Sequence, residues 1–366
     1  MPLSQIQLSS STGRRNMIIN GDMRIAQRGT SGTPNDTYVS LDRFRGRTYG
    51  GSGRFTMEQV SGGNGGVNIP NGEFPYAMKL TVTTPSSSID AYDYSIAQTI
   101  EADTFTKLGW GRNEASEVLK SCTVSFLMKT SVAGVYSVSL RSNGAGRSIV
   151  KETPSITADT WTKVVLTFPG TDNVSWRSLG AQAGCLFEIN LGRSNAKNTS
   201  TLDVHQAGNK VASDNQVRWI GTNSATFFLT GLQIEEGTSA TEFEHRSFQE
   251  EMQMCKRYYQ HIGYQYGDSI GATNTFNGAI PGFKMGGTSV YYGGEMFPVE
   301  MRAIPTLTIY AVVSGTETAG KLIDFNSGAD LGSASVARLR ANGYNYLSSG
   351  SNSAGAVYRS VLDAEL

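Results

Sequence analysis

Residues 225–260 read ATFFLTGLQIEEGTSATEFEHRSFQEEMQMCKRYYQ. Phe227, Leu229, Leu232 and Ile234 supply the apolar side chains of a half-buried β segment. Glu236-Gly237-Thr238-Ser239 is turn chemistry. Ser247-Phe248-Gln249-Glu250 then has the form of a capping box: the Ser247 hydroxyl accepts a free N–H of the first turn, while Glu250 reaches back to the N–H of Ser247. Phe248, Met252, Cys255, Tyr259 and Ile262 follow at spacings of four and three, which predicts one apolar stripe on a helix over 247–262. That stripe fits a two-heptad seam at which three copies meet, and equally a helix face packed on its own β domain.

Upstream, period-two patterns recur with turn residues between them. Met78–Val82, Tyr94–Ile100, Cys122–Met128, Tyr136–Leu140, Thr160–Phe168 and Leu186–Leu191 all alternate. Nothing between them has helix length. The expectation is an all-β protein whose residues 16–246 form a two-sheet jelly-roll sandwich. Residues 46–72 are Gly-rich and read as wide loops. Residues 1–15 are polar and Ser-rich and read as an N-terminal arm, with Arg14-Arg15 placed to lie on an adjacent subunit. Beyond the helix the composition becomes rich in Gly, Asn and Tyr. Strand patterns then resume at Met296–Val299, Thr306–Val313, Lys321–Phe325, Ala334–Leu339 and Val357–Ala364, so residues 263–366 read as a second, smaller β-sandwich.

Lys+Arg and Asp+Glu both number 31 in 366 residues, a formal charge of zero, which argues against a nucleic-acid binder. Charged residues are only 17%, with 16 Tyr and 15 Phe, the profile of a turn-rich β protein. Cys122, Cys185 and Cys255 read as buried small hydrophobes. No run approaches the ~20 apolar residues of a membrane span, so no membrane insertion is expected. Met1–Gln5 lacks a basic start and an apolar core, so synthesis in the cytoplasm without a signal peptide is expected.

No catalytic constellation stands out. His205, His245 and His261 lack neighbours at metal-ligand spacing. Glu235 and Glu236 point to opposite faces of a continuing strand, and Glu250 caps a helix, so no acid pair is set for glycoside hydrolysis. The protein reads as a non-enzyme with no cofactor, although loop oxygens could hold calcium. Binding is the stronger reading. Sugar sites on β-sandwiches need an aromatic face ringed by polar groups. The candidates are Trp176 with Asn173, Ser175 and Arg177; Tyr92, Asp93 and Tyr94 with Asp90; and Trp219 with Gln216 and Arg218. The alternative for each Trp is a place in the core, which the alternating strand assigns to Trp161. Tyr264, Tyr266, Tyr291, Tyr292, Tyr344 and Tyr346 form a distal set that suits either recognition or subunit contact.

Three strings carry a resemblance. Arg14-Arg15-Asn16-Met17-Ile18-Ile19-Asn20-Gly21-Asp22-Met23 with Gln27-Arg28-Gly29-Thr30, then Tyr38-Val39-Ser40-Leu41-Asp42-Arg43-Phe44, and the stretch from Leu229 to Tyr259 occur in this order. They resemble a β-jelly-roll module of tailed-bacteriophage virion proteins, tail fibres and receptor-binding proteins among them. The family more often has Trp where Phe44 stands, and the ending Asp363-Ala364-Glu365-Leu366 is also similar to such proteins. The resemblance implies a virion protein that adheres to glycan on a bacterial surface and joins other virion proteins through its N-terminal region. A homotrimer would let weak sugar sites act together. The rival readings are a structural virion component without a ligand of its own, and a capsule depolymerase.

Overall fold

The computed structural model describes residues 14–63, 66–86, 93–112, 119–192, 195–263, 280–284, 290–313, 316–324, 330–349 and 355–366. Two six-stranded antiparallel sheets make up the first unit. One has the order β1 (Ser31–Gly32), β3 (Arg54–Ser61), β4 (Tyr76–Thr84), β14 (Thr226–Glu236), β6 (Cys122–Thr130), β9 (Thr162–Phe168). The other has the order β12 (Gln206–Ala207), β8 (Arg147–Glu152), β7 (Ser137–Ser142), β10 (Ala183–Asn190), β5 (Asp93–Glu101), β2 (Arg45–Tyr49).

Alternation fixes which side chains meet between the sheets. Val124, Phe126 and Met128 from β6 and Ile96 and Ile100 from β5 join Val138, Leu140, Phe187 and Ile189 in one buried cluster. All three cysteines are free thiols and buried, as expected. The Gly-rich region read as loop in fact holds β2 and β3. Phe55 and Met57 alternate into the core, and their strand pairs with β4 along its length. A parallel pair, β11 (Asn198–Thr199) with β13 (Ala212–Ser213), covers part of the outer face of the second sheet. There the Ser213 amide donates to Ser137 Oγ at 2.8 Å.

Helix α1 (Ala102–Phe105) is a single turn, and α2 (Phe248–Lys256) is shorter than the stripe predicted. Ser247 does cap α2, accepting from the Glu250 amide at 3.2 Å. The Glu250 carboxylate pairs with Arg14 at 3.1 Å. Tyr259 and Ile262 do not extend the helix: they lie in β15 (Tyr259–Ile262), opposite Asp363 and Ser360. The stripe therefore breaks up. Cys255 is buried, Met252 is half-buried and Phe248 is 44% exposed, so these five residues are not one seam. Arg14 and Arg15 are likewise engaged within the chain, the latter through its amide on Glu244 Oε1 at 3.0 Å.

The second unit comprises β16 (Ile280–Lys284), β17 (Val290–Met296), β18 (Thr306–Val313), β19 (Thr316–Ala319), β20 (Lys321–Asp324), β21 (Asp330–Arg340), β22 (Gly343–Ser349) and β23 (Gly355–Asp363). Its pairings close a circuit, β16-β17-β22-β21-β20-β23 and back to β16. The far half of β23 continues between β15 and β18. Phe297, Met301, Ile309, Leu322, Tyr344, Tyr358 and Leu362 form a separate core.

The strings that carry the family resemblance meet at the junction of the two units. Arg43 pairs with Glu365, and its guanidinium lies 3.4 Å from the centre of the Tyr258 ring. Arg28 reaches Glu365 at 3.3 Å and Asp363 at 3.2 Å, and sits 3.5 Å over Tyr259. Gln27 Nε2 donates to the Tyr259 carbonyl at 2.8 Å, and the Tyr38 hydroxyl donates to the Leu366 carbonyl at 3.0 Å. Arg257 forks onto both oxygens of Glu101 at 3.1 and 3.0 Å. Planar guanidinium groups suit this work, since they stack on rings and bond carboxylates at once.

Candidate functional site

The aromatic residues picked from sequence as sugar platforms are mostly interior. Trp176 is 2% exposed, and its ring packs edge-on to Trp110 at 4.9 Å, stacks on Phe105 at 6.0 Å and lies 5.5 Å from His205. Burial lowers the pKa of His205, whose Nε2 donates to the Pro169 carbonyl at 2.8 Å. Arg177, next in the chain, is exposed, but the ring it was to accompany has no free face. Trp219 is fully buried against Phe55 and Phe227, and Gln216 beneath it is occupied by Asn190. Tyr94 is 1% exposed, its hydroxyl accepting from the Gly53 amide at 3.1 Å. An indole or phenol ring buries so much apolar area that the core takes it wherever the fold allows. Asp93 opens β5 opposite Tyr49, whereas Asp90 and Tyr92 lie outside the described residues. Of the distal tyrosines, Tyr344 is buried, Tyr291 and Tyr292 lie in β17, Tyr346 lies in β22, and Tyr264 and Tyr266 are outside the described residues.

A different groove has the required make-up. It opens on the outer face of the first sheet with a volume of about 490 Å³, lined by Asn71, Glu73, Phe74, Ser125, Leu127, Lys163, Thr241, Glu242, Phe243 and His245. Its aromatic wall begins at a bulge in β14, where the register shifts between Thr230 and Gln233. Gly231 has φ +63° there, and a Cβ on it would stand 2.5 Å from the Phe74 ring. Only glycine lets that ring lie on the strand. Phe243 meets Phe74 edge-on at 5.0 Å, and His245 lies 5.7 Å from Phe74 and 5.0 Å from Phe243. Exposure grades outward: Phe74 is buried, Phe243 half-buried and His245 exposed. Trp161, expected in the core, is half-buried on this same outer face, where its indole N–H donates to the Val67 carbonyl at 3.2 Å.

The loop carrying Thr241, Glu242, Phe243 and His245 is pinned from below by outward side chains of β14. Glu235 accepts from the Thr241 amide at 2.8 Å and from its hydroxyl at 2.7 Å, while Gln233 accepts from the Glu244 amide at 2.9 Å. Glu235, half of an adjacent acid pair in the sequence, holds this loop. The groove thus presents a fixed aromatic edge, two carboxylates, one ammonium and several hydroxyl and amide groups. Such a surface can stack the apolar face of a pyranose and bond its hydroxyls. Among the described residues no group of three or more His, Cys, Asp or Glu side chains is placed to hold a metal ion. Among the same residues no helix is long and apolar enough to cross a membrane.

No family model and no curated protein matches this chain. Similar solved structures include the enzymatically active domain of tailspike protein 4 of bacteriophage CBA120, at 11% identity and a TM-score of 0.30 over 60% of this chain. The match covers 21% of that tailspike chain. A family 11 carbohydrate-binding module from Clostridium thermocellum is 12% identical, with 59% of this chain and 99% of the module covered at a TM-score of 0.26. The N-terminal cellulose-binding domain of Cellulomonas fimi β-1,4-glucanase C is 10% identical, with coverages of 50% and 90% and a TM-score of 0.24. Likeness this distant leaves the site to be read from its own geometry.

Proposed function

We propose that this chain is a non-catalytic adhesin of a tailed-phage particle, a tail fibre or receptor-binding protein, and that the Phe74–Phe243–His245 groove is its contact with surface glycan of the host. The groove carries the reading: it joins an aromatic wall that water reaches to a polar rim held in place by hydrogen bonds to the buried Glu235. A preorganised rim lowers the ordering cost that usually weakens sugar binding. The virion assignment draws on the resemblance of the three strings described above. A homotrimer would multiply weak sites through simultaneous engagement.

The test is binding of the purified protein to a glycan array and to host cells, with Phe243→Ala and His245→Ala beside the parent. The parent binds a defined set of glycans, and each variant weakens that binding about tenfold, the scale of one lost aromatic contact. A parent that binds neither glycans nor cells would sink the adhesin and favour a purely structural virion role. One observation favours a second reading, a depolymerase: Glu73 and Glu242 line the same groove. Two acids across a sugar site are the parts of a glycosidase. Release of reducing ends from host capsule, lost in both Glu73→Gln and Glu242→Gln, would establish that activity and overturn the non-catalytic one.

A further inference from the structure

Arg28, Arg43, Arg45, Arg246 and Arg257 of the first unit each pair with a carboxylate. Arg338 and Arg340, on β21 of the second unit, do not. Both are exposed, and among the described residues neither guanidinium has an ion pair or a hydrogen bond. Strand register sets them side by side. Arg338 stands in a cross-strand row with Asn345 and Gly294, and Arg340 in a row with Gly343 and Met296. Residues two apart share a face, so both side chains leave the sheet on one side, their Cα atoms roughly 7 Å apart.

A groove of about 380 Å³ opens over these two rows. Its floor is bare backbone. A Cβ on Gly294 would stand 2.5 Å from the Tyr344 carbonyl oxygen, and one on Gly343 would stand 2.7 Å from that of Glu295, so neither position has room for a side chain. Met296, 70% exposed, forms an apolar edge. Asn342, in the turn between β21 and β22, adds an amide. That turn is fixed from outside: the Phe297 amide donates to the Asn342 carbonyl at 2.9 Å and the Met301 amide to the Ala341 carbonyl at 2.8 Å. Among the described lining residues Glu295 is the one carboxylate. It belongs to the intervening row, with Leu339 and the buried Tyr344, and alternation turns it to the other face. Burial raises its pKa, the reverse of what a paired guanidinium does. The outward face thus presents two positive charges with no anion between them.

We propose that this groove binds a phosphate or sulfate monoester of a sugar, Arg338 and Arg340 closing on the anion and the glycine floor beside Met296 taking the ring. A tetrahedral oxyanion offers oxygens to both guanidinium forks at once, and such charge-assisted pairs are the strongest polar contacts open to it. The volume suits a monosaccharide with its ester, and the amides of Asn342 and Asn345 stand where ring hydroxyls would lie. A nucleic acid is disfavoured. Its backbone needs a longer track of cations, and its bases need a free aromatic face, whereas Tyr344, the ring in this lining, is buried.

The test is calorimetric titration of the whole protein with glucose 6-phosphate, glucose 6-sulfate, glucose and a thymidine oligonucleotide. The two esters bind, glucose does not, and added salt weakens the binding. Arg338→Gln and Arg340→Gln each lower the affinity about tenfold, and Arg340→Lys keeps part of it. Neither change moves the unfolding midpoint, because neither side chain is buried or paired. Equal binding of glucose, or full ester affinity in the doubly substituted Arg338→Gln, Arg340→Gln protein, overturns the proposal. Tighter binding of the oligonucleotide than of either ester, lost in the same double variant, overturns it in favour of nucleic acid. Phe243→Ala leaves ester binding unchanged, so failure of the aromatic groove to bind glycan leaves these outcomes readable.

Discussion

Glu188 and Asp42 are both carboxylates shut away from water, and they titrate in opposite senses. Burial raises Asp42 to about 6, against the opposing pull of Arg28 and Gln27, whereas Glu188 is held at about 2 between two arginines. A folded-state value above the ordinary 3.8 means that ionised Asp42 costs stability above about pH 6, a cost that fades as the pH falls toward 3.8. Glu251, also raised by burial, acts in the same direction. Glu188 stabilises the fold above its ordinary value of 4.5 and loses that contribution as the pH falls toward 2. The unfolding midpoint should therefore hold or rise between pH 7 and pH 5, then drop below about pH 4. Thermal melts across that range check it, and a steady decline from neutrality would contradict it.

Helix α2 shows what an element's own sequence can and cannot say. Its start was legible because a cap is local: Ser247→Ala should cost about 1 kcal/mol, measured by urea denaturation. Its end was not legible. Tyr259 keeps helical spacing in the sequence, yet β23 offers it a strand partner and Arg28 a cation for its ring. The alternating strands of both sheets were readable because their pattern has one period and one buried face. Strands β2 and β3 were hidden by the glycines around them. The aromatic groove was unreadable for another reason: Phe74, Phe243 and His245 are brought together by a bulge at Gly231, and none of them belongs to a periodic run. Trp176 misled because a tryptophan among polar loop residues gives no sign of the rings that will close over it.

Over the whole molecule, the junction ties the first unit to the last residues of the chain. Arg43 and Glu365 are both almost wholly buried, so Arg43→Ala leaves the Glu365 carboxylate to Arg28 alone and should cost about 3 kcal/mol. Because that loss falls between the units, calorimetry should resolve one cooperative transition into two, with the second unit melting first. A single transition of unchanged shape would mean that the units are coupled elsewhere. Arg28 and Arg43 thus hold the residues from Asp363 to Glu365 against the first unit by ion pairs and by stacking on Tyr259 and Tyr258.

The pairing of Arg43 with Glu365 spans 322 positions of chain. A ribosome adding roughly 5–20 residues per second needs some tens of seconds to cover that distance. From the completion of β14 at Glu236 until Glu365 emerges, the nascent first unit holds an open slot with cationic walls. Its own chain cannot fill the slot until Glu365 has emerged, so any acidic peptide of suitable reach is a competitor until then.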